Sequence, residues 1–348
     1  MNGRVEKTPI ALLSHRARTT LVFLMCLGIS ATGCTASSPT ENTTRILGPR
    51  TTVIVTTDGG RHLVTRRSIR LHRGDSALDV LREVADVRMT LTGGVAQVNG
   101  LGGGALRTFG PEDAAWFYRV DGIETLATEP DRFRVRSGQS IWWDLRRRDI
   151  YARLPVSVGV FPEPLISGWR GKPERIRISY GSAFKDDAKY LNSSVFEDLD
   201  PEVVSIYGGG GIAGLGGESS NESQASTRLP VAVRTRRANL VIGRWEEIQI
   251  DPNIADIGLD PNGYGLTIWI EGTQIRRQDP DMEFSQVLRD AEGIVWASTI
   301  DGEPDSTLVF VVTGLTDRGV KAASRALRSG ACQFYIACAV DRSGAVIS

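Results

Sequence analysis

Apolar residues are distributed along this chain in three textures, and each predicts a different kind of element. Residues 21–29 form an unbroken apolar run, about half the length a helix needs to cross a bilayer, so it reads as the core of a cleavable secretory signal and not as a permanent span. From 51 to 149 the pattern shifts to short alternating or β-branched stretches: Thr51–Thr57, Arg66–Leu71, Val95–Asn99, Ala115–Val120, Phe133–Val135 and Ile141–Leu145, each bounded by Gly, Asp or Pro. These predict strands. One stretch breaks the alternation, because Leu78, Leu81, Val84 and Ala85 recur at helical spacing behind Asp75 or Ser76, as in a capped helix with one apolar face. One helix laid across a mixed sheet is the ubiquitin-like β-grasp arrangement. The fold class expected is therefore α+β, with a β-grasp domain over 51–149.

Residues 150–348 predict a larger mixed α/β domain. Leu154–Val160, Arg175–Tyr180, Val203–Tyr207, Val231–Val233, Trp245–Ile250 and Leu266–Ile270 read as strands, and Asp281–Asp290 reads as a helix presenting Phe284, Val287 and Leu288. Ile294–Thr299 and Ser306–Thr313 form a strand pair about Asp301-Gly-Glu-Pro304. Thr316 or Asp317 then caps a helix with Val320, Ala323 and Leu327 inward, which Gly330 ends. A last strand is expected over Phe334–Val340, which would hold the sulfurs of Cys332 and Cys338 about 20 Å apart as two buried thiols, a bridge requiring a turn between them.

Charge excludes some partners. The chain balances 41 basic against 41 acidic residues; the leader takes Arg4, Lys7, Arg16, Arg18 and Glu6, leaving 37 against 40. A near-neutral body without a basic stripe gives no footprint for nucleic acid. The densest cluster, Arg146-Arg147-Arg148, falls at the domain boundary and is expected to be solvated.

The segment ahead of Cys34 joins a basic head, the apolar run and the small residues Ala31-Thr-Gly-Cys34, and Ala31–Cys34 resembles a bacterial lipobox, with Ala31 where Leu is usual. The resemblance implies that residues 1–33 are a lipoprotein signal peptide, that Cys34 is lipidated, and that 34–50 is a flexible tether. The protein would sit on the extracytoplasmic face of the cell membrane.

A second resemblance rests on the succession Thr56-Thr-Asp-Gly-Gly60, Gly74-Asp-Ser-Ala-Leu-Asp-Val-Leu81, Val98-Asn-Gly100, Trp116-Phe-Tyr-Arg-Val-Asp-Gly122 and Gly138-Gln-Ser-Ile-Trp-Trp-Asp144. In order and spacing this resembles the transcobalamin-like carboxy-terminal domain family. The resemblance implies a β-grasp domain of the kind found in soluble ligand-binding modules, and a cobalamin-like ligand. Asp121, where Asn often precedes the Gly, and the Gly102-Gly-Gly104 insertion depart from the family and put the ligand, not the fold, in question.

Other chemistry is thin. Gly209-x-Gly211-x-x-Gly214 follows an apolar stretch but leads into Gly/Ser-rich sequence instead of a helix, so 208–226 reads as a flexible loop and not a phosphate cradle. His62 and His72 are the only histidines beyond the leader, so a His-based zinc site or a Ser-His-Asp triad would have to draw on these alone, and both read as solvent-facing strand residues. The run from Asp251 to Gly263 lacks the ligand alternation of a calcium loop and reads as a structured turn. No enzyme is predicted. The strongest constellation is aromatic: Trp116, Phe117, Tyr118, Trp142 and Trp143 lie on strands whose neighbouring residues face opposite sides, so some rings enter the core while others emerge to meet a planar ligand or a partner. The candidate ligand-binding residues are Trp116, Tyr118, Asp121, Trp142, Trp143, Asn99 and His72. The function expected is a membrane-anchored binding lipoprotein that delivers a small molecule to a transporter; the alternative is an envelope structural or protein-interaction module using the β-grasp sheet edge.

Overall fold

Strand β1 (Arg50–Thr57) turns at Asp58-Gly-Gly60 into β2 (His62–Arg70), its antiparallel partner. Ser76 then caps α1 (Ala77–Val84): its Oγ accepts from Asp79 N at 3.1 Å while Asp79 accepts from Ser76 N at 2.9 Å, a reciprocal capping box. A small meander of β3 (Val87–Met89), β4 (Val95–Val98) and β5 (Leu101–Gly102) follows. Strands β6 (Ala114–Val120), β7 (Ile123–Glu124) and β8 (Ser140–Arg147) complete a five-stranded sheet in the order β2-β1-β8-β6-β7, with β1 and β8 parallel in the middle. This is the β-grasp sheet. The computed structural model describes residues 48–102, 114–125, 129–147, 154–169, 171–207, 233, 237–278 and 285–347. The leader, Cys34, nearly all of the tether and the 208–226 loop lie outside them.

Period-two alternation divides the β-grasp side chains between two cores. Val53, Val55, Tyr118, Val120, Ile141 and Trp143 pack with Ala77, Val80, Leu81 and Val84 of α1. Ile54 and Trp142 instead meet Leu154 and Ile336 from beyond residue 150. The sheet is thus covered on both faces. Main-chain bonds knit the second contact: Glu124 N to Pro155 O (3.0 Å), Ser157 N to Gly122 O (2.9 Å), Val158 N to Ile336 O (3.0 Å) and Ile336 N to Gly59 O (3.3 Å). Gly60 permits it, since φ is +89° and a Cβ there would lie 1.7 Å from Phe334 O.

The carboxy-terminal part is built on β9 (Ile176–Tyr180), α2 (Lys185–Val195), β10 (Glu202–Ser205), β11 (Ala238–Arg244), α3 (Trp245–Ile248), α4 (Pro252–Leu259), β12 (Ile268–Glu271), β13 (Gln274–Gln278), β14 (Ser285–Val287), β15 (Gly293–Thr299), β16 (Leu308–Gly314), α5 (Asp317–Ser329) and β17 (Cys338–Val340). Its main sheet runs β10-β9-β11-β16-β15-β17; the first four are parallel, and β15 is antiparallel to both its neighbours. Helices α2 and α5 cover one face, while α4 and the β12–β14 meander contribute to the core on the other. Every residue of β16 is buried, as a central strand between two covered faces requires.

The expected α+β class and the capped helices α1 and α5 are present, with Thr316 capping Gly319 N at 3.1 Å and Gly330 ending α5 in the left-handed region. Several expectations fail for physical reasons. Trp245–Ile250 begins as helix α3 because Glu247 folds back to accept from Arg244 N at 3.2 Å, and the strand is the preceding β11, buried from Ala238 to Gly243. The turn expected from Asp251 is helix α4, started by Pro252 and by Asp251 accepting from Asn253 N at 3.0 Å. Instead of a helix, Ser285–Val287 pairs with β13; residues 281–284 lie outside the described set. Leu154–Val160 and Phe133–Val135 form single bridges, Val156 to Ile123 and Arg134 to Ser76. The last strand is only β17, because residues 331–334 turn, bringing Cys332 and Cys338 to a Cα separation of 5.7 Å in a disulfide. The two thiols expected are one bridge.

Candidate functional site

Adjacent residues of β8 part company. Trp142 is fully buried on the face toward residue 154, its Nε1 donating to Thr56 Oγ1 at 2.7 Å. Trp143 faces α1, stacked on Tyr118 with ring centroids 5.0 Å apart. Across from Trp143, β6 carries half-buried Trp116, and β7 pairs with β6 only at Arg119 and Val120. That short pairing leaves the 114–117 stretch without a ladder partner on its outer edge among the described residues.

A groove of about 350 Å³ opens there, lined by Trp116, Phe117 and Tyr118 of β6, Trp143 of β8, the pairs Glu124-Thr125 and Glu129-Pro130, and Gly94-Val95 at the start of β4. Its size is within the range of small-molecule sites and its lining is aromatic with a few polar groups. Two donors in that lining, Nε1 of Trp116 and Nε1 of Trp143, are buried without an acceptor. Thr125 is engaged instead with Tyr118 O, through N at 3.2 Å and Oγ1 at 3.1 Å.

Behind the groove lies an ionic network that the sequence did not announce. Both oxygens of Glu124 accept from Arg146 Nη2 at 2.7 Å, and one accepts from Arg119 Nη2 at 3.2 Å; all three side chains have at most 1% exposure. Arg119 Nη2 also donates to Leu154 O at 3.3 Å. The guanidinium of Arg146 lies 3.9 Å from the Phe117 ring centroid and that of Arg119 lies 5.5 Å from Trp142. Burial, with Arg146 alongside, pulls the Arg119 pKa down to about 10, against the opposing pull of Glu124 and Asp144. Asp144 accepts from Thr56 Oγ1 (2.7 Å), Gly59 N (3.2 Å) and Gly60 N (3.3 Å), which fixes the β1–β2 turn. Arg146 was expected to be solvated with its neighbours and is not. The available signal was a charge at an inward register of an apolar strand, as in Trp116-Phe-Tyr-Arg-Val120.

Of the seven candidate residues, the structure gathers Trp116, Tyr118 and Trp143 at the groove. Trp142 is sealed in the core. Asp121 takes a left-handed turn (φ 50°) and its carboxylate accepts from Ser140 N (2.8 Å) and Gln139 Nε2 (3.0 Å), beside a cavity of only about 10 Å³. Burial raises its pKa. Asn99 closes the β3–β4 meander by accepting from Asp86 N at 2.9 Å, and His72 is exposed beside Asp75 at 3.4 Å. These four residues do not line the groove.

Among the described residues no three His, Cys, Asp or Glu side chains come together as a metal site, and no helix is long and apolar enough to cross a membrane. No known family and no curated protein matches the chain. A solved structure similar to part of it is that of a "putative metal binding protein" from Ruminococcus gnavus, at 16% identity and a TM-score of 0.22, covering 28% of this chain and 97% of that one. At that score the likeness carries no argument.

Proposed function

We propose that this protein is a non-enzymatic, lipid-anchored binding protein of the extracytoplasmic membrane face, which holds a small molecule for an uptake system in the groove beside β6. The observation that carries the reading is the groove itself: about 350 Å³ lined by Trp116, Phe117, Tyr118 and Trp143 beside the stretch of β6 that β7 does not pair with. The leader, the lipobox-like Ala31–Cys34 and the resemblance of 51–149 to transcobalamin-like domains support the location and the ligand-binding role. That volume takes a one- or two-ring compound, or one edge of a larger cobalamin-like ligand. Calorimetry of the mature protein against corrinoids and smaller heterocycles tests the reading, and saturable binding that Trp116→Ala weakens is the expected result. Failure of every compound to bind, together with co-purification of a stoichiometric protein on the β6 edge, would replace it with the interaction-module reading. Acylation of Cys34, read by mass spectrometry of the membrane fraction, tests the anchor.

A further inference from the structure

We infer that the outer edge of the β-grasp sheet, strand β2, docks on the anionic phospholipid headgroups of the membrane that anchors the chain. The inference shares the membrane location proposed above and is independent of the ligand. From Arg61 to Arg73 the sequence holds five arginines and no Asp or Glu. Folding adds to this charge. Strand β2 ends the sheet order, Arg66, Arg67 and Arg70 on it and Arg73 just beyond it are exposed, and Arg50 stands directly opposite Arg70 in the β1–β2 ladder. Like charges in facing positions cost stability. Among the described residues no carboxylate pairs with these five: Arg50 donates to Ser68 Oγ at 3.0 Å, Arg66 lies 5.0 Å from the Phe334 ring centroid, and the flanking Asp58 and Asp75 hold His62 (3.1 Å) and His72 (3.4 Å). Charge that only guards a sheet edge against pairing can be of either sign. Here it is all positive, on a chain with equal numbers of acidic and basic residues, and guanidinium groups match phosphate oxygens in bidentate geometry.

The course of the chain favours a membrane over a soluble polyanion. Pro49 O accepts from Leu71 N at 2.8 Å, so the chain enters the fold beside the Leu71–Arg73 end of the strip. Cys34 lies fourteen residues before Gly48, a span of at most about 50 Å when fully extended. A lipid on Cys34 therefore keeps the arginines near headgroups that attract them. The sheet order puts β6 three strands from β2, so docking through β2 leaves the groove on the side away from the bilayer.

The test is co-sedimentation of residues 34–348 carrying Cys34→Ser, so that no acyl chain contributes; this chain contains the whole compact unit that starts at Leu47. Vesicles of phosphatidylglycerol and phosphatidylcholine in equal parts are compared with phosphatidylcholine alone. Binding to the anionic vesicles only, abolished by high salt, is expected. Arg67→Gln/Arg70→Gln is expected to weaken that binding at least about tenfold, since each arginine near the surface is worth about fivefold. Its melting temperature should be unchanged or raised, because Arg50 loses a like-charged neighbour. Lys321→Gln/Arg325→Gln, an equal change of charge at exposed positions of α5, is expected to shift affinity by less than about twofold. Binding to neither vesicle, equal binding to both, or an equal loss in the α5 variant would overturn the inference. So would binding to heparin about tenfold tighter than to the anionic vesicles, which would assign the strip to a soluble polyanion. Each of these outcomes leaves the groove and the acylation of Cys34 to their own experiments.

Discussion

The two large sheets are both covered on two faces, yet they solve the same burial problem with opposite chemistry. In the carboxy-terminal sheet, β11 and β16 present Leu240, Ile242, Phe310 and Val312 to one core and Val241, Val309 and Val311 to the other, and the covering elements supply more of the same. In the β-grasp sheet the helix-facing side is apolar, while the opposite side buries Arg119, Arg146, Glu124 and Asp144 beside Ile54 and Trp142. An apolar face has no pairing requirement: truncating one residue leaves a cavity but no unpaired charge. A charged face is collective: each member is costly to bury alone and is held by its partners.

Removing one member of the network is the sharpest way to test that contrast. Glu124→Ala leaves two buried guanidinium groups without their shared carboxylate and is expected to destabilise by about 3–5 kcal/mol in urea unfolding, comparable to the about 3–5 kcal/mol for Phe310→Ala in the apolar sheet. The two losses differ in repair. Replacing the network together, as Arg119→Met, Glu124→Leu and Arg146→Met, is expected to return stability to within about 1 kcal/mol of wild type or above it. If the triple variant is as unstable as Glu124→Ala, the contrast between the faces is wrong.

Smaller effects sharpen the contrast at the edges of the two regions. The Cys332–Cys338 bridge closes a short loop beside β17, and its loss in the Cys332→Ser/Cys338→Ser protein is expected to cost about 2 kcal/mol by chain entropy, read from the shift in the urea midpoint. Ser76→Ala removes the cap of α1 and is expected to cost about 1 kcal/mol by the same measurement. The smallest effect is one of pH. Burial raises the Asp121 pKa above its ordinary value of 3.8, so the folded protein binds that proton more tightly than the unfolded chain. Its contribution is full below 3.8 and is lost as pH rises through the elevated folded value. Asp121→Asn is expected to remove that downward slope, and an unchanged slope between pH 3.5 and 6 would show that burial does not govern this carboxyl.

Legibility in the sequence followed locality. The start of α1 at Asp75 or Ser76, the start of α5 at Thr316 or Asp317, its end at Gly330 and the β1–β2 turn are settled by residues a few positions apart and were readable, while the choice of Ser76 and Thr316 as the caps, and the answering contact from Asp79, came with the structure. Where two periods compete over a short span, reading failed: Trp245–Ile248 became a helix through one Glu247 contact, and Ser285–Val287 a strand through its pairing with β13. Of the site, the aromatic set was legible as a set, but which ring went where was not, because Trp142 and Trp143 differ only in the face they occupy.

By itself the sequence determined the α+β class, the caps and turns, and the aromatic strands from which the groove is made, because propensity, capping and alternation act over a few residues. Only the tertiary structure decided that Trp116, Tyr118 and Trp143 line one groove while Trp142 is sealed away, that Arg146 is buried and not solvated, and that Cys332 meets Cys338. Those outcomes depend on what packs across each face, from strands tens of residues distant, and burial of a charge or a ring is a property of the covering element as much as of the residue covered.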